Sequence, residues 1–189
     1  MTARETLSVL AGMLYLVGFG PYIRGIFRGE TKPAKASWII WAILDVVMLA
    51  AMIAKESVNG QIIGAAMGAC TVAILALRYG LPGWSIIDRL CLLGAALGIA
   101  LWWLFREPTV GLVVSTTVIL IGSSPTFVSA WKDPTREDRT PWMLYFLSCL
   151  LALAAFPAWT WEDASQPIAF TLIESVMMYL LYVRPFLNS

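Results

Sequence analysis

"GPYIRGIFRGETKPAKASWIIWAILD", residues 20–45, decides how this chain folds because it joins two apolar segments through a short basic loop. Pro21 lies inside the first segment, four cations follow, and two tryptophans and Asp45 lie in the second. Proline lacks an amide hydrogen and clashes with the carbonyl four residues earlier, so it breaks or kinks a helix. The stretch therefore predicts a bent helix, a charged loop and a second apolar helix that carries an acid.

The composition indicates a membrane protein. The 189-residue chain is 59% hydrophobic and 13% charged, whereas soluble domains are about 45–50% apolar and about 25% charged. The net charge of +1 gives no reason to expect a nucleic-acid partner, and the lipid bilayer is the expected surrounding. The chain has no histidine, which argues against a zinc or haem site. We expect no cofactor, and no catalytic constellation predicts an enzyme.

About 20 mostly apolar residues are needed to cross a membrane as a helix, and the sequence predicts seven such spans. An alternative count of six would merge or drop one of them, and the fifth is the weakest because serine and threonine dilute it. The predicted spans are Leu7–Ile26, Ser37–Ala54, Gln61–Leu77, Ile86–Phe105, Val110–Ala130, Trp142–Trp159 and Gln166–Val183.

The cations predict the orientation of these spans. With the N-terminus outside, ten of the 13 Lys and Arg residues fall on the cytoplasmic side, and the remaining three, Arg4, Lys55 and Arg106, fall outside. Cytoplasmic loops of membrane proteins carry such an excess of cations. We therefore expect a protein of the prokaryotic cytoplasmic membrane with its N-terminus outside and its C-terminus in the cytoplasm.

The chain contains an internal repeat. A shift of 104 residues aligns Gly18 with Gly122, Pro21 with Pro125, Trp38 with Trp142 and Trp41 with Tyr145, and one inserted residue then aligns Gln61 with Gln166. We predict a first three-helix repeat over residues 1–80, a linker helix over 81–109 and a second repeat over 110–189. Three helices reverse the chain direction, so the linker lets both repeats enter the membrane in parallel, with a site on the axis between them.

Two segments carry a resemblance to a known family. "PYIRGIFRGETKPAKASW", residues 21–38, and "PTFVSAWKDPTREDRTPW", residues 125–142, together with the predicted layout, resemble the SWEET and PQ-loop (MtN3-like) superfamily of small transporters. They are also similar to uncharacterised bacterial seven-helix proteins with a "PYIR…TKP…SWxxW" pattern. The resemblance implies an all-α fold of 3+1+3 helices and alternating access, with Pro21 and Pro125 as hinges. A static kink is the alternative for both prolines.

This sequence departs from the family pattern at four positions. Tyr22 and Thr126 stand where a glutamine follows the family's proline. Ile39 and Met143 stand where sugar-transporting members carry prolines. These departures weigh against a sugar as the solute.

Aromatic residues mark one face of the second helix in each repeat. Trp38, Trp41 and Asp45 stand at positions i, i+3 and i+7, which share a helix face. The repeat places Trp142, Tyr145 and Cys149 at the equivalent positions. Trp38 and Trp142 lie at the starts of their spans, so an interfacial belt is the alternative for them. Trp41 and Tyr145 lie one turn deeper, where they could line a solute pathway.

Two acids are predicted within the spans, Asp45 in the second and Glu174 in the seventh. A charged side chain at the bilayer centre costs about 2.5–3.5 kcal/mol on insertion scales, so it is by default a candidate for a functional site. We expect the two acids to contact a solute or to carry a proton, and a purely structural, hydrogen-bonded role is the alternative. Gly18 and Gly122, one turn before the prolines, are expected to expose backbone to the solute.

The sequence as a whole predicts an alternating-access carrier for a small polar or cationic solute, with proton coupling through Asp45 or Glu174 as the sharper hypothesis. A nicotinamide-riboside-type vitamin uptake facilitator is one alternative. A seven-helix receptor or scaffold that transports nothing is the other. Assembly into a homo-oligomer is left open.

Overall fold

The computed structural model describes residues 1–81 and 86–187, and this part of the chain is helical and contains no β-strand, as expected. A 3₁₀ turn at Pro134–Arg136 precedes α7, and a π-helical turn at Tyr179–Val183 follows α8. The α-helices are α1 Ala3–Arg28, α2 Lys35–Ala54, α3 Gly60–Tyr79, α4 Ile86–Phe105, α5 Pro108–Gly122, α6 Ser124–Lys132, α7 Arg139–Ala155, α8 Trp161–Met178 and α9 Arg184–Leu187.

Several helices are long and apolar enough to cross a membrane. Within the described residues there are five such segments, namely Ala3–Arg28, Lys35–Ala54, Gly60–Tyr79, Pro108–Lys132 and Trp161–Val183. Arg139–Ala155 is a shorter apolar helix, and α4 has 20 residues. This composition fits a membrane protein, whereas the count of seven spans stays a prediction. Residues 82–85, at the start of the predicted linker, lie outside the described residues.

The predicted boundaries near the last two helices are wrong. α7 ends at Ala155 and not at Trp159, and α8 begins at Trp161 and not at Gln166. Thr160 caps α8, because its side chain accepts a hydrogen bond from the backbone N–H of Asp163. The acidic side chains in the first turn of α8 are attracted to the positive end of the helix dipole, which stabilises the helix start. This polar stretch therefore begins a helix and does not form the expected loop.

The two prolines of the repeat lie in different local structures. α1 continues through Pro21 without interruption. Pro125 instead adjoins the junction at Ser123, where α5 ends and α6 begins. The helix break that the proline pattern predicts is therefore present in the second repeat, and the first repeat keeps an unbroken helix.

The helices α1–α3 and α5–α8 pack as two groups. α3 packs against α1 and α2, and α8, its counterpart, packs against α5 and α7. Between the two groups, α1 lies along α7 and α2 lies along α5, while α4 contacts α5 and α2. The first helix of each group thus contacts the second helix of the other.

Gly18 and Gly122 lie at the equivalent crossings of these helices. A methyl group at Gly18 on α1 would lie 2.6 Å from Cε1 of Tyr145 on α7. A methyl group at Gly122 would lie 2.6 Å from Cγ2 of Ile40 on α2. Both distances are too short for carbon atoms, so these positions require glycine for close helix approach. Both glycines are buried in helix contacts, and their exposure to a solute stays a prediction.

Candidate functional site

A small cavity lies between the two groups of helices. It has a volume of about 30 Å³, which is room for about two water molecules. Its small volume means that side chains almost fill this centre of the fold. Aromatic rings and two carboxyl groups make up most of its lining. The lining residues are Tyr15, Phe19, Trp38, Trp41, Asp45, Ala65, Ala69, Ile119, Trp142, Tyr145, Phe170, Ile173 and Glu174.

Six of the ten candidate residues from the sequence meet at this cavity. Three of them come from α2, two come from α7 and one comes from α8, so both repeats contribute. These six are Trp38, Trp41, Asp45, Trp142, Tyr145 and Glu174. The other four, Gly18, Pro21, Gly122 and Pro125, do not line it.

The two acids of the cavity are buried with incomplete hydrogen bonding. Asp45 and Glu174 are each 3% exposed. The hydroxyl of Tyr15 donates to Oε1 of Glu174 over 3.3 Å. Oδ1 of Asp45 and Oε2 of Glu174 are buried without a hydrogen-bond partner. Such groups are costly and rare in native proteins, so both oxygens are available to a proton or to a ligand.

The aromatic walls pack closely around these acids. The rings of Tyr15 and Tyr145 stack with 4.6 Å between their centroids. The rings of Trp38 and Trp41 meet edge to face at 4.9 Å, and Nε1 of Trp41 donates to Oγ of Ser123 over 3.3 Å. Aromatic faces carry partial negative charge and attract cations. The described lining contains no Lys or Arg, so the acids and rings together favour a positively charged or neutral polar ligand.

A layer of side-chain amides closes the cavity toward the N-terminal end of the bundle. Gln61 and Gln166 are both fully buried, and Nε2 of Gln166 donates to Oε1 of Gln61 over 3.0 Å. Asn59 donates to Gln166 over 2.8 Å, and Gln61 donates to Ser148 over 3.1 Å. Gln61 also borders an open vestibule of about 480 Å³ at this end. Ala65, one turn further along α3, lines the cavity, so the amide pair lies between the vestibule and the cavity.

A second hydrogen-bonded group closes the opposite end, which we call the basic end and define by loop residues 29–34 and 133–138. Tyr22 donates to Oε2 of Glu137 over 3.0 Å, and Nε1 of Trp142 donates to the same oxygen over 3.0 Å. Nε1 of Trp38 donates to the hydroxyl of Tyr22 over 3.1 Å. Glu137 is 4% exposed, and this burial raises the pKa of its carboxyl group to about 7.

Sequence reasoning missed several of these residues. Tyr15, Phe19 and Tyr22 stand at positions i, i+4 and i+7 of α1, and this spacing could have marked the face that lines the site. Gln61 and Gln166 were aligned by the repeat but had no assigned role. Glu137 lies in a loop rich in charges, and no local pattern in the sequence distinguishes it from its exposed neighbours.

Comparison of the chain with models of protein families, with curated proteins and with solved structures gives no match in any of the three.

Proposed function

We propose that this protein is a small-solute carrier that works by alternating access, in the manner of the SWEET and PQ-loop transporters that its repeat resembles. In this proposal the chain has seven spans arranged as 3+1+3, with its N-terminus outside and α4 as the linker helix. The parallel repeat in the sequence supports this arrangement. The matching contacts of α1 with α7 and of α2 with α5 support it as well.

The observation that carries the proposal is the convergence of both repeats on one cavity with unpaired acids. Asp45 comes from the first repeat and Glu174 from the second, and each has a buried carboxylate oxygen without a partner. Stability alone does not favour this arrangement, because an unpaired buried polar atom costs about 1–3 kcal/mol and more when it is charged. A ligand or a proton that binds during a transport cycle would satisfy these atoms.

The chemistry of the cavity suggests the solute class. Two carboxyl groups without a neighbouring cation favour a solute that carries positive charge or several hydrogen-bond donors. The rings of Trp41 and Tyr145 would stabilise a cation or stack on a flat group. In the proton-coupled form of this hypothesis, one acid binds the solute while the other takes up and releases a proton.

The two closures supply the gates that alternating access requires. The Gln61 and Gln166 layer separates the cavity from the vestibule, and the Glu137 group separates it from the basic end. Because the cavity has a volume of only about 30 Å³, a solute larger than water needs its walls to move apart, and in this proposal one of the two hydrogen-bonded groups opens. Pro125, beside the junction of α5 and α6, and Pro21, within α1, are the proposed hinges.

A nicotinamide-riboside-type vitamin facilitator remains the second candidate, because the aromatic cavity would suit a flat cationic ring. A receptor that transports nothing would be expected to have both acids engaged by fixed neighbours. Tyr15 engages Glu174 in this way, but Oδ1 of Asp45 has no such partner. This observation does not favour the receptor.

Uptake into proteoliposomes tests the proposal. The purified chain would be assayed with labelled choline, putrescine, lysine, nicotinamide riboside and glucose, with and without a pH gradient. We expect saturable uptake of at least one cation, strong loss of uptake in Asp45→Asn and Glu174→Gln, and normal uptake in Glu30→Gln, whose carboxylate is exposed. If no compound in the panel is taken up faster than by empty liposomes, the proposed function is wrong. If uptake is found but neither acid nor the pH gradient changes it, proton coupling is wrong.

A further inference from the structure

One buried carboxyl group lies outside the proposed solute pocket. Glu137 follows the 3₁₀ turn at Pro134–Arg136 and precedes α7, in a loop at the basic end. Glutamate is almost never fully buried unless it is paired, yet Glu137 is only 4% exposed. The contacts of its side chain explain what keeps it there.

Glu137 links both tryptophans that close the cavity at this end. Its Oε2 accepts one hydrogen bond from Nε1 of Trp142 and another from the hydroxyl of Tyr22, each over 3.0 Å. That hydroxyl in turn accepts a hydrogen bond from Nε1 of Trp38 over 3.1 Å. Trp38 and Trp142 occupy equivalent positions of the two repeats and both line the cavity. One carboxylate oxygen therefore ties the two halves together across the cavity's end.

Further contacts beside Glu137 cross between the same two halves. The backbone N–H of Lys32 donates to the carbonyl oxygen of Arg136 over 3.2 Å, which joins the two basic loops. The hydroxyl of Ser37 on α2 donates to the carbonyl oxygen of Gly122 over 3.0 Å. Opening the cavity toward this end requires these contacts and the Glu137 hydrogen bonds to separate together.

We propose that Glu137 is a positioning residue that holds Trp38 and Trp142 across the basic end of the cavity, and that its ionised carboxylate moves out to water, which separates the two tryptophans and opens the cavity toward this end. The consequence for solute delivery rests on the proposed function. The opening itself does not, because it depends only on the contacts between the two halves at this end and on the charge of Glu137.

The surroundings of Glu137 compensate a negative charge only in part. Glu137 accepts two hydrogen bonds at Oε2, from Trp142 and Tyr22, which favour its charged form, but the effect of its burial outweighs theirs. Its Oε1 is buried without a hydrogen-bond partner. No cation of the described chain lies within 4 Å of it, and the neighbouring Arg136 pairs with Asp133 over 3.0 Å. The titratable groups that act on it or on which it acts are Tyr22 from α1, Tyr145 from α7 and Asp138 from its own loop. All three are acids, and α2 contributes the uncharged Trp38.

The sign of the pH effect follows from the two environments of the carboxyl group. In the closed form burial raises the pKa of Glu137 to about 7, whereas an exposed glutamate has a pKa of 4.5. The closed form therefore binds the proton more tightly, so low pH favours closure and high pH favours opening. For these two pKa values the ratio of open to closed protein rises about tenfold between pH 6 and pH 8.

Thiol labelling of the cavity tests this proposal without a known solute. Ala69 lines the cavity and is 2% exposed, so Ala69→Cys would be made in a background with Cys70, Cys91 and Cys149 changed to serine. A membrane-impermeant methanethiosulfonate reagent would be added outside vesicles in which the basic end of the protein faces outward. The initial labelling rate would be measured at pH 6 and at pH 8 and divided by the rate of the same protein with Glu137→Gln, which cancels the titration of the thiol.

We expect this ratio to rise about tenfold from pH 6 to pH 8. Glu30→Gln, which removes an exposed carboxylate at the same end, should leave the pH dependence unchanged. Tyr22→Phe, which removes the link to Trp38 and keeps the carboxyl group, should raise labelling at both pH values. A ratio that does not change with pH, or a Tyr22→Phe rate equal to that of the parent, would overturn the proposal.

The outcome separates this proposal from the proposed function. If labelling depends on pH but no solute is taken up, the proposed role of Glu137 is supported and the proposed carrier function is wrong. If a solute is taken up but labelling does not depend on pH, the carrier function is supported and the proposed role of Glu137 is wrong.

Discussion

Gln61 and Gln166, which occupy equivalent positions in the two repeats, are hydrogen-bonded to each other, with Nε2 of Gln166 donating to Oε1 of Gln61 over 3.0 Å. Both side chains are fully buried. The internal repeat of the sequence therefore corresponds to a direct contact between the two halves of the fold. Because buried amides are stable only when their hydrogen bonds are complete, this pair should contribute to holding the halves together.

Replacing only one glutamine of this pair should lower the free energy of unfolding by more than half of what replacing both glutamines does. Gln61→Leu or Gln166→Leu leaves a buried amide without its partner and should lower the free energy of unfolding by about 1–3 kcal/mol. The double variant replaces both partners with apolar groups of similar size, so it should lose clearly less than the sum of the single variants. Reversible unfolding in bicelles would measure all four proteins. Additive losses would mean that the hydrogen bond between the two side chains contributes nothing.

Adding a methyl group at the helix crossings should destabilise the fold. Gly18→Ala and Gly122→Ala force contacts of 2.6 Å with Tyr145 and Ile40, and overpacking of this kind costs about 1–3 kcal/mol. Gly20→Ala is the matched control, since Gly20 lies in α1 and its added methyl group meets no atom within 4 Å. Alanine favours the helix more than glycine, so this control should gain about 0.5–1 kcal/mol. Equal unfolding temperatures of Gly18→Ala and Gly20→Ala would contradict the close approach of α1 and α7.

Removing the acid of α2 should stabilise the protein while it removes activity. Asp45→Cys places in the first repeat the residue that the second repeat has at Cys149. It removes a buried carboxylate with an unpaired oxygen, so the free energy of unfolding should rise by about 1–3 kcal/mol. Such gains at the expense of function are typical of residues kept for binding. A loss of stability would show that Asp45 has a structural role.

The stability of the fold should fall as Glu137 ionises. Its folded pKa of about 7 lies above the unfolded value of 4.5, so its contribution is largest below pH 4.5 and is lost as the pH rises through 7. Relative to Glu137→Gln, the native protein should lose on the order of 2–3 kcal/mol of unfolding free energy between pH 5 and pH 8. Parallel denaturation curves of the two proteins at these pH values would measure the difference. Equal pH dependence in both proteins would place the carboxyl group in contact with water.

Much of the helical pattern could be predicted from the sequence because it depends on local composition. Apolar runs of about 20 residues identify helices, and the shared face of Trp38, Trp41 and Asp45 follows from helix periodicity alone. The repeat added a relation between distant segments, and this relation brought Tyr145 to the same cavity as Trp41. These expectations needed no knowledge of how the side chains pack.

Other features depend on tertiary contacts that leave no local signal. The stretch from Trp161 to Gln166 appeared too polar for a helix, but the cap at Thr160 and the acids in the first turn start α8 there. The position of Gly18 and Gly122 before the prolines does not predict that they lie where helices cross closely. The role of Glu137 depends on Tyr22 and Trp142, which reach it from two different helices.

The binding of a cation between Asp45 and the aromatic walls is most directly tested by ligand-induced thermal stabilisation. Purified native protein, Asp45→Asn and Glu30→Gln would be heated with increasing choline, putrescine, lysine or nicotinamide riboside, and with glucose for comparison. We predict that at least one of the four cations raises the unfolding temperature of the native protein and of Glu30→Gln in a saturable way, and that Asp45→Asn loses this response. The absence of stabilisation by every cation, or an equal response in Asp45→Asn, would contradict a cation site at this cavity.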